Sequence, residues 1–435
     1  MSASPIVQTG DPKATVIGGT RYAAGPKSAV RGTLKIVGEE LRRLHSDSIK
    51  LHAPANEINL EGFLLLPGLI NAHDHLQYAL HPRIGHPPYR NYVEWGEDIH
   101  STSPALISHY KSVPKNVRLL WGGVRNLLCG VTTVCHHDPF WPALHADGYP
   151  IKVVREYRWA HSVKLDHDIR VAWRAERDGW PFFVHACEGT DELARGELAN
   201  LDDLGVLNAQ TVVVHGLALD PSGIALLQER QASLILCLSS NQFLYGCLPD
   251  MKSLSMATKI ALGNDSPLTA VGDLLDEVRF AIEAASIPPD RAYQMITDIP
   301  ATILRLKNGE GRIQESGSAD FIAVRDNGEP PDQRLLTLSW RDVEFVMIAG
   351  KVQLASEDVL QRLPLAAADG MEPLWIDGDI RWLRAPVRKL VQQAEAFLGE
   401  GMVRLGDRVV KPVDAVIPGF PSTACNAMTQ GEERP

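Results

Sequence analysis

Phe63-Leu64-Leu65-Leu66-Pro67-Gly68-Leu69-Ile70-Asn71-Ala72-His73-Asp74-His75 decides how the whole chain is read. The apolar run reads as a buried strand, and at its end His73 and His75 stand at i and i+2, positions that project to the same side of extended backbone. Two imidazoles so placed can share one cation. Working outward, three later apolar runs also end in a polar residue: Pro181-Phe182-Phe183-Val184 in His185, Thr211-Val212-Val213-Val214 in His215, and Ile260-Ala261-Leu262-Gly263-Asn264 in Asp265.

Apolar strand, polar residue and amphipathic helix, repeated in that order, are the signature of parallel βα units. The pattern predicts strands over 63–72, 131–135, 151–157, 182–186, 211–215, 233–238 and 259–262, with helices over 116–128, 167–177, 191–201, 221–230 and 272–285. Seven strands is one short of a closed (β/α)8 barrel. The gap falls between Tyr157 and Pro181, so the fourth strand is expected to be short or missing. Residues 14–66 and 313–354 are instead β-rich pieces punctuated by Gly, Pro and Asn, and the two flanks are expected to pair into one sandwich. The expected domains are 1–66 and 313–355 as the two parts of the sandwich and 67–312 as the barrel, followed by 356–435 as a helix near 380–398 and an irregular tail.

A chain of 435 residues, 45% hydrophobic, suffices for a barrel-sized core and a satellite. Its formal charge of −10 is spread out and no block of five Lys/Arg occurs, which argues against nucleic acid or an anionic membrane and for a small-molecule substrate. No basic leader precedes an apolar stretch, and no window approaches the roughly 18 apolar residues of a membrane span, so a cytoplasmic protein is expected. The six cysteines form no C-x-x-C pair and sit mostly in apolar runs, as buried reduced thiols do.

Functional side chains of parallel barrels occupy the C-terminal ends of strands, where all five singled-out residues fall. Three or four nitrogen and oxygen ligands with one open position make a catalytic zinc-type site, in which bound water reaches a pKa of about 7. An acid and a base are then needed. Glu188, three residues beyond His185, can lean over such a site. Asp265 can bind the cation through one oxygen and hold the water through the other, and His215 is either the base or a fifth ligand.

Pro67-Gly68-Leu69-Ile70-Asn71-Ala72-His73-Asp74-His75-Leu76, Gly130-Val131-Thr132-Thr133-Val134, His185-Ala186-Cys187-Glu188, Val214-His215-Gly216, Ser239-Ser240-Asn241, Gly263-Asn264-Asp265-Ser266 and Gly317-Ser318-Ala319-Asp320-Phe321, in this order and spacing, resemble the amidohydrolase superfamily. The resemblance runs from about Ala14 to Val352, to the branch with cytosine, guanine and S-adenosylhomocysteine deaminases and triazine hydrolases. It implies a TIM-type barrel with a composite β-sandwich. It further implies one divalent metal, zinc or iron, on His73, His75, His185 and Asp265, with Glu188 as proton shuttle, His215 beside the nucleophile, and often a homodimer. The bridging lysine of two-metal relatives has only Lys164 as a counterpart, with no apolar strand before it, so one metal is expected. The implied reaction is deamination or dehalogenation of a planar nitrogen heterocycle at an sp² carbon. Hydrolysis of an amide or cyclic amide, and a barrel that binds without catalysis, are the alternatives.

Trp95, with Tyr89 and Tyr92, lies in the loop after the first strand, where an aromatic ring either stacks on a planar substrate or packs the loop. His137, beside His136, either touches substrate or ties down a loop, and Asn241, with Ser239 and Ser240, either contacts substrate or caps a turn. His81, His86 and His100 are expected to be solvated loop residues. No His-Glu-x-x-His, Gly-x-Ser-x-Gly, phosphate loop or Pro-Cys-x-x-Cys competes with the barrel site.

Overall fold

The computed structural model describes residues 14–46, 56–166, 168–174, 179–254 and 259–413. Cys425, the end of the tail and both ends of the helix expected over 167–177 lie outside the described residues.

The opening stretch forms two strands. Phe63–Pro67 joins the flanking sheet and Leu69–Asp74 starts the barrel. Gly68 is the joint: its N–H reaches the Asp320 carbonyl at 3.0 Å while Leu69 N–H turns to Gly130 at 3.1 Å, and a Cβ at Gly68 would lie 2.3 Å from Thr132. Period-two alternation sends Leu64 and Leu66 to one buried cluster and Phe63 and Leu65 to another. A continuous apolar run thus serves two cores.

Eight strands form the barrel: β1 (Leu69–Asp74), β2 (Val131–His136), β3 (Lys152–Val153), β4 (Arg158–Ser162), β5 (Phe182–Ala186), β6 (Thr211–His215), β7 (Ser233–Leu236) and β8 (Ile260–Leu262). β1 to β3 pair in parallel as one ladder and β4 to β8 as another. β8 meets β1 where Asp265 N–H donates to the His73 carbonyl at 3.1 Å. Ile70, Ala72, Phe183, Val212, Val214, Ile235 and Ala261 form one buried cluster, and the alternating residues Phe182, Val184, Val213, Leu234, Leu236, Ile260 and Leu262 belong to another with the surrounding helices. His185, two residues past Phe183, is therefore turned inward.

The fourth strand exists, contrary to the expectation that it is short or missing. Arg158-Trp159-Ala160-His161-Ser162 hides it from a hydropathy reading, yet it pairs in parallel with β5 from Phe182↔Arg158 to His185↔Ser162. Arg158 fits because its guanidinium donates to the Trp180 carbonyl at 2.9 Å and the Gln210 side chain at 2.6 Å.

The flanking strands form one 12-stranded sheet, in which Phe321–Arg325 pairs antiparallel with Phe63–Pro67. The sheet continues beyond residue 356, through Glu372–Ile376, Asp379–Leu383 and Arg408–Pro412, so the helix expected from 380 begins only at Val387. Asp379–Leu383 is held as strand by its antiparallel partner. Above the barrel, helices α1 (Tyr92–Thr102) and α2 (Pro104–Lys111) fill the loop after β1, and α3 (Lys115–Leu128) returns to β2. Among the described residues no helix is long and apolar enough to cross a membrane. Cys129, Cys135, Cys187 and Cys237 are buried free thiols.

Candidate metal centre and active site

His73, at the end of β1, is fully buried, and its ring lies 4.9 Å from the rings of both His75 and His185. Ligand nitrogens of these three rings lie within 4.8 Å of one another. Asp265 Oδ1 stands 3.7 Å from His73 Nε2 and 3.6 Å from His75 Nε2. The four residues expected to ligate a cation therefore face one point.

The hydrogen bonds behind the rings assign their tautomers. The Ala160 carbonyl accepts from His137 Nε2 at 2.9 Å, leaving His137 Nδ1 to accept from His73 Nδ1 at 3.2 Å. The His161 carbonyl accepts from His185 Nδ1 at 2.5 Å. His73 and His185 thus present bare Nε2 atoms 3.2 Å apart, two lone pairs with no proton between them. Burial keeps both rings neutral, pushing His73 down to about 4 and His185 well below the ordinary histidine range. His75 differs. Burial opposes its charge, but the hydrogen bond and charge of Asp138 at 3.0 Å, aided by Asp265 and Asp74, hold it up at about 9. The Asp265 carboxyl is held well below the usual carboxylate range, burial notwithstanding, by His73, His215 and His75.

Converging lone pairs and a carboxylate fit a divalent cation, with imidazoles oriented from behind as metal-bound histidines are. Cys237 also approaches His73 and His215, but burial pushes its thiol well up, and a protonated thiol is a poor ligand. Lys164 lies in the exposed turn after β4, outside this cluster.

Opposite the ligands, His215 Nδ1 donates to Asn241 Oδ1 at 3.0 Å and turns its Nε2 towards Glu188 Oε2 at 3.7 Å. Burial raises the Glu188 carboxyl, partly offset by His215 and by the Tyr245 hydroxyl, which donates to Oε1 at 2.8 Å. Asp265 Oδ2 accepts from the hydroxyls of Ser240 at 2.8 Å and Thr269 at 3.0 Å, so only its other oxygen is free to face the imidazoles. Cys187, His215 and Asp265 adopt positive φ of 56°, 76° and 55° at the ends of β5, β6 and β8. Such backbone costs about 1–3 kcal/mol each and concentrates where side chains must be aimed. Gly263 lets β8 approach β1, since a Cβ there would stand 2.6 Å from that of His73.

These groups open into a cavity of about 230 Å³ whose apolar walls include Trp95, Ile99, Leu244 and Leu268. Trp95 lines it, with its indole N–H on the Ile84 carbonyl at 3.1 Å. His137 and Asn241 do not. Instead of meeting substrate, His137 is stacked 4.1 Å from His185 with both nitrogens engaged, and Asn241 is fully buried behind His215. His81, expected in solvent, is 1% exposed and lines the cavity. Asp138, His161 and Tyr245 escaped the sequence reading. Asp138 follows β2 by the same strand-end logic that singled out the others, His161 was hidden with β4, and Tyr245 reaches Glu188 only because helix Leu238–Tyr245 folds back over the barrel.

Residues 169–353 match the amidohydrolase family. A 5-methylthioadenosine/S-adenosylhomocysteine deaminase of Caldanaerobacter subterraneus is 26% identical over 209 residues, 42% of this chain and 48% of that protein. One from Pyrococcus furiosus is 30% identical over 177 residues, 37% of this chain and 42% of that one. The chain thus spans about half the length of the curated relatives it matches. Among solved structures, the zinc complex of atrazine chlorohydrolase TrzN from Arthrobacter aurescens superimposes with a TM-score of 0.66 at 15% identity, covering 88% of this chain and 99% of that one. A zinc-bound adenosine deaminase from Xanthomonas campestris gives 0.60 at 17%, covering 88% and 97%. The fold is that of these amidohydrolase barrels.

Proposed function

We propose that this chain, which carries an amidohydrolase-family domain, is a mononuclear metal-dependent hydrolase that deaminates a planar nitrogen heterocycle. The observation that carries the reading is the convergence of His73, His75, His185 and Asp265 on one point, with Glu188 and His215 across it, at the mouth of a cavity. Zinc is the proposed ion, given nitrogen and oxygen donors and the zinc in the neighbouring structures. When bound it supplies the Lewis acidity that makes water a nucleophile near neutral pH.

The chain's own residues do the rest. Asp265, its second oxygen anchored by Ser240 and Thr269, would hold the cation, while His215, with a bare Nε2, receives the proton that water gives up and passes it to Glu188, 3.7 Å away. Water oxygen bonds to the sp² carbon, Glu188 passes a proton to the amino nitrogen, the C–N bond breaks and ammonia leaves. A buried carboxyl with a raised pKa suits that shuttle, because burial favours its proton-carrying form. Trp95 and the aliphatic walls accept a flat ring. At about 230 Å³ the cavity is smaller than the roughly 300–1,000 Å³ of drug-sized pockets, which favours a small substrate.

The test is ammonia release from purines, pyrimidines, pterins and triazines with zinc-loaded protein. Glu188→Gln should keep its zinc and lose turnover. An unimpaired Gln variant would remove the proposed role, and products without ammonia would point to amide hydrolysis.

A further inference from the structure

The cavity that holds the reacting centre has a second polar corner, formed by His81 and Lys111. His81 is 1% exposed, yet neither ring nitrogen has a hydrogen-bond partner among the described residues. Its ring neighbours are Tyr78, edge-on at 5.1 Å, and Tyr110, tilted at 5.1 Å, and with the Tyr78 backbone bearing on one side of the imidazole the other side remains for a ligand. Buried polar atoms are rarely left unpaired, and these two line a cavity.

The charges bearing on His81 are those of Arg118 and Lys111, both cations. Arg118 donates to the carbonyls of Val113 at 2.9 Å and Gln77 at 3.0 Å, and among the described residues no carboxylate pairs with Lys111. The corner thus holds two cations, with the Asp138 carboxylate acting on Arg118 and Tyr78 from the side of His75. Tyr78 spans the two ends, its ring 6.2 Å from that of His75 and 5.1 Å from that of His81. The Tyr78 ring thus stands between the ligand His75 and His81, and all three line the same cavity.

Resting on the heterocycle hydrolase reading, we infer that His81 and Lys111 form a subsite for an anionic arm, so that the substrate is a planar nitrogen heterocycle bearing a carboxylate. An ammonium and one imidazole N–H match the two oxygens of a carboxylate.

The experiment compares matched pairs, pterin with pterin-6-carboxylate and cytosine with cytosine-5-carboxylate, on the full zinc-loaded chain. Binding is read by calorimetry and turnover by ammonia release. In at least one pair the carboxylate should bind about tenfold or more tighter, with the preference shrinking as salt rises. Lys111 is exposed, so Lys111→Met should fold and reduce the preference to within about twofold; His81→Phe, checked by its thermal melt, should do the same. Equal binding within both pairs, or a preference that survives both substitutions, overturns the subsite. Carboxylate preference without ammonia from either partner would uphold the subsite and overturn the deaminase reading. Ammonia from parent and carboxylate at equal efficiency would do the reverse.

Discussion

Asp138→Ala probes whether a proton and the cation compete for His75. In the wild type, Asp138 Oδ2 accepts from His75 Nδ1 at 3.0 Å and from Gln77 Nε2, fixing the ring with Nε2 towards Asp265. The same carboxylate holds His75 at about 9 against burial, so at neutral pH a proton occupies the nitrogen the cation needs. Well below that value each pH unit costs about tenfold in apparent affinity, so zinc should bind about 50-fold tighter at pH 9, where half the rings are deprotonated, than at pH 7, roughly 2.3 kcal/mol. Without Asp138, His75 loses both the hydrogen bond and the largest charge that raise it, so burial gains against the remaining pull of Asp265 and Asp74 and its pKa falls. The slope between pH 7 and 9 should then be markedly shallower than in wild type. The ring would also lose its orientation, and at pH 9 the variant should bind zinc about 10- to 100-fold more weakly than wild type. Competition against a chromophoric chelator across this range gives both curves, and calorimetry in two buffers counts the proton released. A wild-type affinity that is flat from pH 7 to 9, or a slope retained by Asp138→Ala, would refute the reasoning.

Tyr245→Phe removes the hydroxyl that opposes the upward shift of Glu188, a hydrogen bond of roughly 1 kcal/mol, so the limb of the kcat/KM profile set by that carboxyl should move to higher pH. An unmoved profile would show that the bond does no catalytic work. Glu277 accepts from the Leu238 and Ser239 N–H groups at 2.5 and 3.2 Å, and burial raises it to about 7. A folded-state value above the unfolded one means that its contribution is full below about pH 4.5 and lost as pH rises through about 7, so urea unfolding should show wild type losing stability over that window while Glu277→Gln stays flatter. Parallel curves would contradict this. Gly263→Ala places a methyl 2.6 Å from His73 Cβ and 3.0 Å from Ile235 Cγ2, and should cost about 1–3 kcal/mol in stability together with weakened zinc binding. Wild-type values for both would mean that β8 and β1 can separate freely.

Much of the barrel was legible because a strand buried on both faces is a plain apolar run, as in Thr211–His215 and Phe182–Ala186. β4 was not, because its buried Arg158 is satisfied by Trp180 and Gln210, partners that hydropathy cannot see. The break at Gly68 was equally invisible, since both sides of it are apolar and only contact with Thr132 and Asp320 divides them between two sheets.

For the site, the chain alone determined the donor types and their strand-end positions, because ligand chemistry and the period-two geometry of a strand are local properties. The tertiary structure decided which donors face the cation and which stand behind. His137 is an imidazole like His185, yet the fold keeps it buried behind His73, and Asn241 stands buried behind His215. It also buried His81, a loop histidine by sequence, against the cavity. The physical reason is that direction and desolvation are set by contacts between residues far apart in the chain, such as His73 with Gly263 and Glu188 with Tyr245, which no local pattern encodes.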